Sequence, residues 1–159
     1  MSTSPGIAVR VATANDIGSL VLLMGEFYAE SGYPLEADWA TSSFAALLSR
    51  PDWGRTWLAH RREQPIGYVV LSVRYTMEHG GLSGYVDDLF VRPSFRRRGV
   101  ARALLDELLE HCRARGCRSV QVEVASANAA ALGVYAKFGL VPLRDGRLLV
   151  AGTLSDARA

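Results

Sequence analysis

The sequence predicts a mixed α/β domain, and three observations carry that expectation. Segments with an apolar residue at every second position alternate with segments whose apolar residues recur at helical spacing. Residues 56–91 read as three strands on short connections, the pattern of an antiparallel meander. The chain has 159 residues, 49% hydrophobic and 21% charged, which suits one globular domain over 1–159 with its own core. A net charge of +2 excludes a polycation or an acidic tail protein.

The expected order is β-α-α-β-β-β-α-β-α-β-β, with helices packed on a central mixed sheet. Ile7 to Ala12 alternates as a strand. Thr13 and Asp16 form a T-x-x-D pair that suits a helix start. Ile17, Leu20, Val21, Met24, Phe27 and Tyr28 then share one helical face, until Gly32 and Pro34 interrupt it. A second helix over Ala37 to Ser49 carries Trp39, Phe44, Leu47 and Leu48, and Pro51 and Gly54 bound it. Thr56 to Arg62, Ile66 to Tyr75 and Gly84 to Val91 are the meander strands, joined by Glu63-Gln64-Pro65 and by a loop containing Gly80-Gly81. Leu104, Leu105, Leu108, Leu109 and Cys112 form a helix stripe closed by Gly116. Val120, Val122 and Val124 alternate with Gln121 and Glu123 as a strand. Asn128 to Phe138 is a short helix ended by Gly139. Leu140 to Leu143 and Leu148 to Leu154 read as two short strands around Asp145-Gly146.

The segment from Asp87 to Ala101 is the most informative. A strand stops at Pro93, and a turn carrying Arg96, Arg97, Arg98 and Gly99 feeds directly into a helix. The first amides of a helix have no intrahelical partner and sit at the positive end of its dipole. Gly99 lets an anion approach the backbone, so the turn suits a phosphate or pyrophosphate. Neither a P-loop nor a G-x-G-x-x-G pattern is present, so the ligand expected is a diphosphate-bearing cofactor other than ATP or NAD.

V-x-P-x-x-R-R-x-G-V-A leading into a Leu-rich helix resembles the acyl-CoA signature of the GNAT superfamily of N-acetyltransferases. Arg96, Gly99 and Ala101 meet its [QR]-x-x-G-x-[GA] core, with Arg97 where Gly is frequent. Asn128 to Leu140 resembles the family's N-x-x-A-x-x-x-Y-x-x-x-G-[FL] motif. The resemblance implies acetyl-CoA as donor, with CoA released. The amides of Arg97, Arg98, Gly99, Val100, Ala101 and Arg102 would hold the pyrophosphate, next to Arg96. The main chain of Leu89, Phe90 and Val91 would pair with the pantetheine arm. Asn128 would hydrogen-bond the cofactor, and Tyr135 would protonate the departing thiolate.

Direct transfer also needs a group that accepts a proton from the amine, because alkyl amines are mostly protonated near neutrality. Asp87, Asp88 and Glu123 are the candidates, with Asp87 favoured. Strict alternation sends Asp87 and Asp88 to opposite faces of their strand. Val11 to Ser49 holds no Lys or Arg but five acids, among them Glu26 and Glu30. In the family resembled, the N-terminal helices line the acceptor side. The acceptor expected is therefore a small cationic amine, held by Glu26, Glu30, Asp87 and Glu123, to which the resemblance adds Tyr75. The strand Y-V-D-D-L-F-V resembles that of diamine and thialysine acetyltransferases, and aminoglycoside acetyltransferases carry a similar segment. A protein lysine or N-terminal acetyltransferase, or a non-catalytic acyl-CoA-binding module, are the alternatives. The resemblance also implies a homodimer.

His60, His79 and His111 show no metal-ligand spacing, so no metal is expected. Cys112 and Cys117 do not make a disulfide framework and suggest a reducing compartment. Met1 to Gly6 reads as short, polar and flexible, without the regions of a signal peptide. No apolar run approaches a membrane span. The expected setting is cytoplasmic. The Arg turn lacks the basic and aromatic surface of a nucleic-acid site.

Overall fold

The computed structural model describes residues 6–154. Contacts divide the chain into two units, Met1–Glu123 and Val124–Ala159. The residues expected to be flexible, Met1 to Gly6, lie outside the described residues except Gly6. Among the described residues no helix is long and apolar enough to cross a membrane.

The first unit is built on a five-stranded sheet of β1 (Ile7–Val11), β2 (Gly54–Arg61), β3 (Gln64–Thr76), β4 (Gly81–Val91) and β5 (Ser119–Val122). Its order is β1-β2-β3-β4-β5, antiparallel except for the parallel β4–β5 pair. The short turns of the meander set the antiparallel pairs, and a crossover helix returns the chain for the parallel one. That mixed α/β architecture is the one the periodicities predict.

Two helices, α1 (Ile17–Glu30) and α2 (Ala37–Leu48), cover one face. Leu20, Leu23, Met24, Ala40 and Phe44 join Leu58, Tyr68, Val70 and Phe90 in one core cluster. α1 starts from a locked corner. The Thr13 amide donates to Asp16 Oδ2 at 2.8 Å, and Arg10 grips the same carboxylate at 2.7 and 2.8 Å.

The other face takes α3 (Val100–Ala114). Leu104, Leu105 and Leu108 have no exposed surface, and each such burial stabilises the fold by about 1.5–3 kcal/mol. The helix ends as its sequence requires. Gly116 adopts φ +73°, and the Cys117 amide donates to the Cys112 carbonyl at 2.9 Å, closing the terminal turn.

Two features of the sheet position the site. β5 pairs with β4 only from Ser83↔Ser119 to Val86↔Val122, so β4 continues to Val91 beside β3 alone. The β3–β4 register also slips by one residue, from Leu71↔Val86 to Val70↔Asp88. Asp87 is the extra residue of that bulge.

In the second unit, α4 (Ala129–Ala136) is capped by Asn128, whose Oδ1 accepts from the Ala131 amide at 3.1 Å. Gly139, at φ +77°, ends it. The two strands expected over 140–154 are not formed: those residues are irregular. Pro142 removes a ladder donor. Asp145 Oδ1 accepts the Arg147 amide at 3.1 Å, which makes a local Asp turn where a hairpin was expected. Val141, Leu143, Leu148, Leu149, Val150 and Leu154 are all exposed, so no core selects a register for them.

Candidate active site

The bulge gathers the carboxylates. Val70, the partner of Asp88, belongs to the core on the α1–α2 side, whereas Leu71 and Val86 belong to the α3 side. Alternation from Val86 places Asp87 on the α1–α2 side, and the register slip places Asp88 there too. The expectation that the two aspartates face opposite ways is therefore corrected. Tyr85 and Glu123 share that face, the latter by continuation from Gln121, which pairs with Tyr85. Glu123 lies close enough to Tyr85 to raise the pKa of its hydroxyl. Arg74 lies 6.0 Å from the Tyr85 ring and also donates to Gln121, bordering the acidic cluster.

The environments of the acids differ. The hydroxyl of fully buried Tyr68 donates to Asp88 Oδ2 at 2.9 Å. Burial raises the Asp88 pKa to about 6, against the opposing Tyr68 hydrogen bond and with help from the Asp87 charge. Asp87 keeps an exposed edge, but desolvation and then Glu123 raise its pKa as well. Burial, then Asp88, lifts Tyr68 far above the phenol range, so it remains a donor. Tyr85 is pushed up to about 12, first by burial and then by Glu123. Two neighbouring acids with different environments, one poised near neutrality, are the arrangement a general base needs.

Beyond the bulge, Leu89, Phe90 and Val91 run on the edge of β4 that β5 does not cover. Phe90 and Val91 are buried, and Arg96 Nε donates to the Val91 carbonyl at 2.8 Å. Pro93–Phe95 form one 3-10 turn. Arg97 then adopts φ +58° and Gly99 φ +82°, both left-handed. The first bond of α3 runs from the Ala103 amide to the Gly99 carbonyl at 3.0 Å. The amides of Val100, Ala101 and Arg102 precede it and lie at the positive helix end. A Cβ built on Gly99 meets nothing within 4 Å, so the approach to this turn is open. Arg97, Arg98 and Arg102 are exposed around it. These features fit the diphosphate of CoA.

Other expected residues lie elsewhere. Glu26 is gripped by Arg92 at 2.7 and 2.9 Å, and Glu30 by Arg96 at 2.6 Å. Tyr75 lies five residues beyond the partner of Asp88 along β3, on the face of Leu71, and is 64% exposed. Asn128 and Tyr135 are in the second unit. Tyr135 is buried, and its carbonyl accepts from Phe138 and Leu140 at 2.9 and 3.1 Å. Sequence reasoning missed Tyr68, Tyr85 and Arg92. Each acts through a partner distant in sequence, and the only signal was the strand alternation that puts Tyr68 on the Asp88 side.

A family model described as the acetyltransferase (GNAT) family matches residues 21–140. A curated relative, described as an uncharacterized N-acetyltransferase of Methanocaldococcus jannaschii, is 26% identical over 82% of this chain. The chain spans 59% of that relative's length. An integron cassette protein from the mobile metagenome of Cole Harbour Salt Marsh is 40% identical, with a TM-score of 0.84 over 97% of this chain and 93% of its own. An aminoglycoside N-acetyltransferase solved in complex with CoA is 20% identical, with a TM-score of 0.78 over 94% of this chain and 95% of its own, a likeness of fold.

Proposed function

The chain belongs to the GNAT acetyltransferase family, and from that premise we propose that it moves an acetyl group from acetyl-CoA to a primary amine of a small cationic acceptor. The observation that carries this reading is the bulge that sets Asp87 and Asp88 side by side, with Glu123 on the same face. Three carboxylates attract a cation, and one of them is poised to accept its proton.

Acetyl-CoA supplies an activated thioester carbonyl. The turn of Arg96 to Arg102 presents amides and guanidiniums to the diphosphate, and the uncovered edge of Leu89 to Val91 accompanies the pantetheine arm. Asn128 offers its side-chain NH2, because its oxygen caps α4. The acceptor ammonium rests against Asp87 and Glu123. Asp88, ionised above about pH 6, takes its proton directly or through one water, which leaves a neutral amine to attack the thioester carbonyl. Asp88 is assigned this role ahead of Asp87 because Tyr68 fixes its orientation and its pKa lies nearer neutrality. As the C–S bond breaks, Tyr135 would give its proton to the departing thiolate, and the second proton, shed by the amine nitrogen as the amide forms, would restore the phenol through water. Such acid and base help is worth about 10²–10⁴-fold in each case.

The finer reading is a polyamine, amino-acid-derived or aminoglycoside amine, in line with the diamine and thialysine resemblance and with the aminoglycoside enzyme of like fold. The whole chain acts as one transferase domain, cytoplasmic and homodimeric. The exposed apolar side chains of 141–154 supply surface of the kind a second copy buries.

An acceptor library assayed by released CoA thiol tests the proposal. Turnover with di- and polycationic small amines is expected. A preference for peptides would point to protein acetylation. CoA binding without turnover on any amine would make the chain a binding module.

A further inference from the structure

α1 and the turn after β4 meet along three consecutive contacts. Glu26 takes a two-point grip from Arg92, whose third group donates to the Pro65 carbonyl at 2.8 Å. Phe27 packs edge-on against Phe90 with ring centroids 5.5 Å apart. One turn further along α1, Glu30 takes Arg96, whose guanidinium also lies 5.8 Å from the Phe90 ring and bonds the Val91 carbonyl. Glu26 and Glu30 are four residues apart on one helix face, and Arg92 and Arg96 are four apart across the 3-10 turn. The match is two on two, with an aromatic contact between. Immediately after Arg96 comes Arg97 in a left-handed conformation that a residue with a Cβ adopts only under constraint.

We propose that Glu26 and Glu30 are positioning residues for the donor and not ligands of the acceptor. They clamp α1 to the turn and hold Arg96–Gly99 in the conformation that presents the first amides of α3. The carboxylates read from the sequence as the acidic acceptor face thereby serve the pyrophosphate side. The inference rests on the proposed use of CoA at that turn. The inner pair is the stronger one. The Arg92 and Glu26 side chains are 17% and 37% exposed, and the contact is bidentate, whereas Arg96 and Glu30 are 42% and 47% exposed with a single bond. Removing Glu26 therefore disturbs the turn more than removing Glu30.

The test measures CoA dissociation by calorimetry, together with acceptor and donor KM, in the wild type, Glu26→Gln and Glu30→Gln. Glu30→Gln lies at the exposed end, so it reports on the clamp even if Glu26→Gln folds poorly. Expected is a CoA Kd raised about tenfold by Glu26→Gln and about two- to threefold by Glu30→Gln, with acceptor KM within twofold of wild type. Added to Arg96→Gln, the Glu30→Gln change has no further effect on CoA Kd, because the two act as one contact. An acceptor KM that rises while CoA Kd stays put overturns the proposal and makes these residues acceptor ligands. Unchanged values in both variants overturn it as well. A wild-type protein that fails to bind CoA overturns the proposed function, and this inference falls with it, whereas a wild type that binds CoA as its variants do overturns the inference alone.

Discussion

Asp88 has a carboxylate that the fold makes harder to ionise, and that has opposite consequences for stability and for catalysis. An acid whose folded pKa is raised binds a proton in the native state that the unfolded chain has already lost. Stability therefore falls as pH rises from the ordinary carboxylate value of 3.8 to about 6, then stays level. The proposed base activity runs the other way and rises through about pH 6. Asp88→Asn removes the buried charge while its amide oxygen still accepts from Tyr68. It is expected to leave Tm near neutrality unchanged or higher and to lower kcat by about 10²–10⁴-fold. The pH–rate profile should lose its ascending limb, and a Tm that drops sharply would contradict the account. Asp16 is the reverse case. The Arg10 hydrogen bonds, ahead of opposing desolvation, hold its pKa down to about 2, so its contribution is complete above the ordinary value of 3.8 and is lost as pH falls through about 2. Arg10 is half exposed, which discounts the ion pair. Asp16→Asn should cost about 1–2 kcal/mol near neutrality and only a small part of that near pH 2, read by denaturant unfolding at both.

The turn between β4 and α3 stands on backbone that only glycine adopts at no conformational cost. Gly99 is at φ +82° with open space where a Cβ would go. Gly99→Ala therefore meets no clash and bears only the left-handed penalty of about 1–2 kcal/mol. A lowered Tm with CoA affinity reduced about three- to thirtyfold is expected, by thermal melts and calorimetry. An unchanged affinity would show that the turn does not hold the donor. This element was legible because Pro93, Gly99 and the leucine stripe each mark a boundary chemically. The long helices were legible for the same reason, their apolar period running unbroken for several turns. The bulge at Asp87 was not, since no residue type announces an extra residue in one strand, and a single slip reverses every facing assignment beyond it. The C-terminal strands failed for another reason: apolar alternation signals a strand only where a partner edge and a buried face exist to receive it.

Across the molecule, part of what looks like a regional field in the sequence is resolved into local pairs. The acids of the N-terminal stretch suggested an attractive face for cations, because that stretch has no Lys or Arg. Asp16 is neutralised by Arg10, and Glu26 and Glu30 by arginines 66 residues downstream. Pairing at that sequence distance is decided by the packing of α1 on the sheet, which composition does not record. In the proposed reading the long-range attraction for a cationic acceptor comes from Asp87, Asp88 and Glu123, and Arg74 beside them is engaged with Gln121 and the Tyr85 ring. The donor would meet a separate set, Arg97, Arg98 and Arg102, exposed at the turn. Both encounters are screened by salt over about 8–10 Å, but they are separable by the charge of the acceptor. With CoA saturating, kcat/KM for a diamine should fall more steeply between low and physiological ionic strength than kcat/KM for a monoamine of similar size. An uncharged amine analogue should show almost no change. In Asp87→Asn the diamine slope should approach the monoamine slope. Equal slopes for all three acceptors in the wild type would mean that the clustered carboxylates do not steer the acceptor.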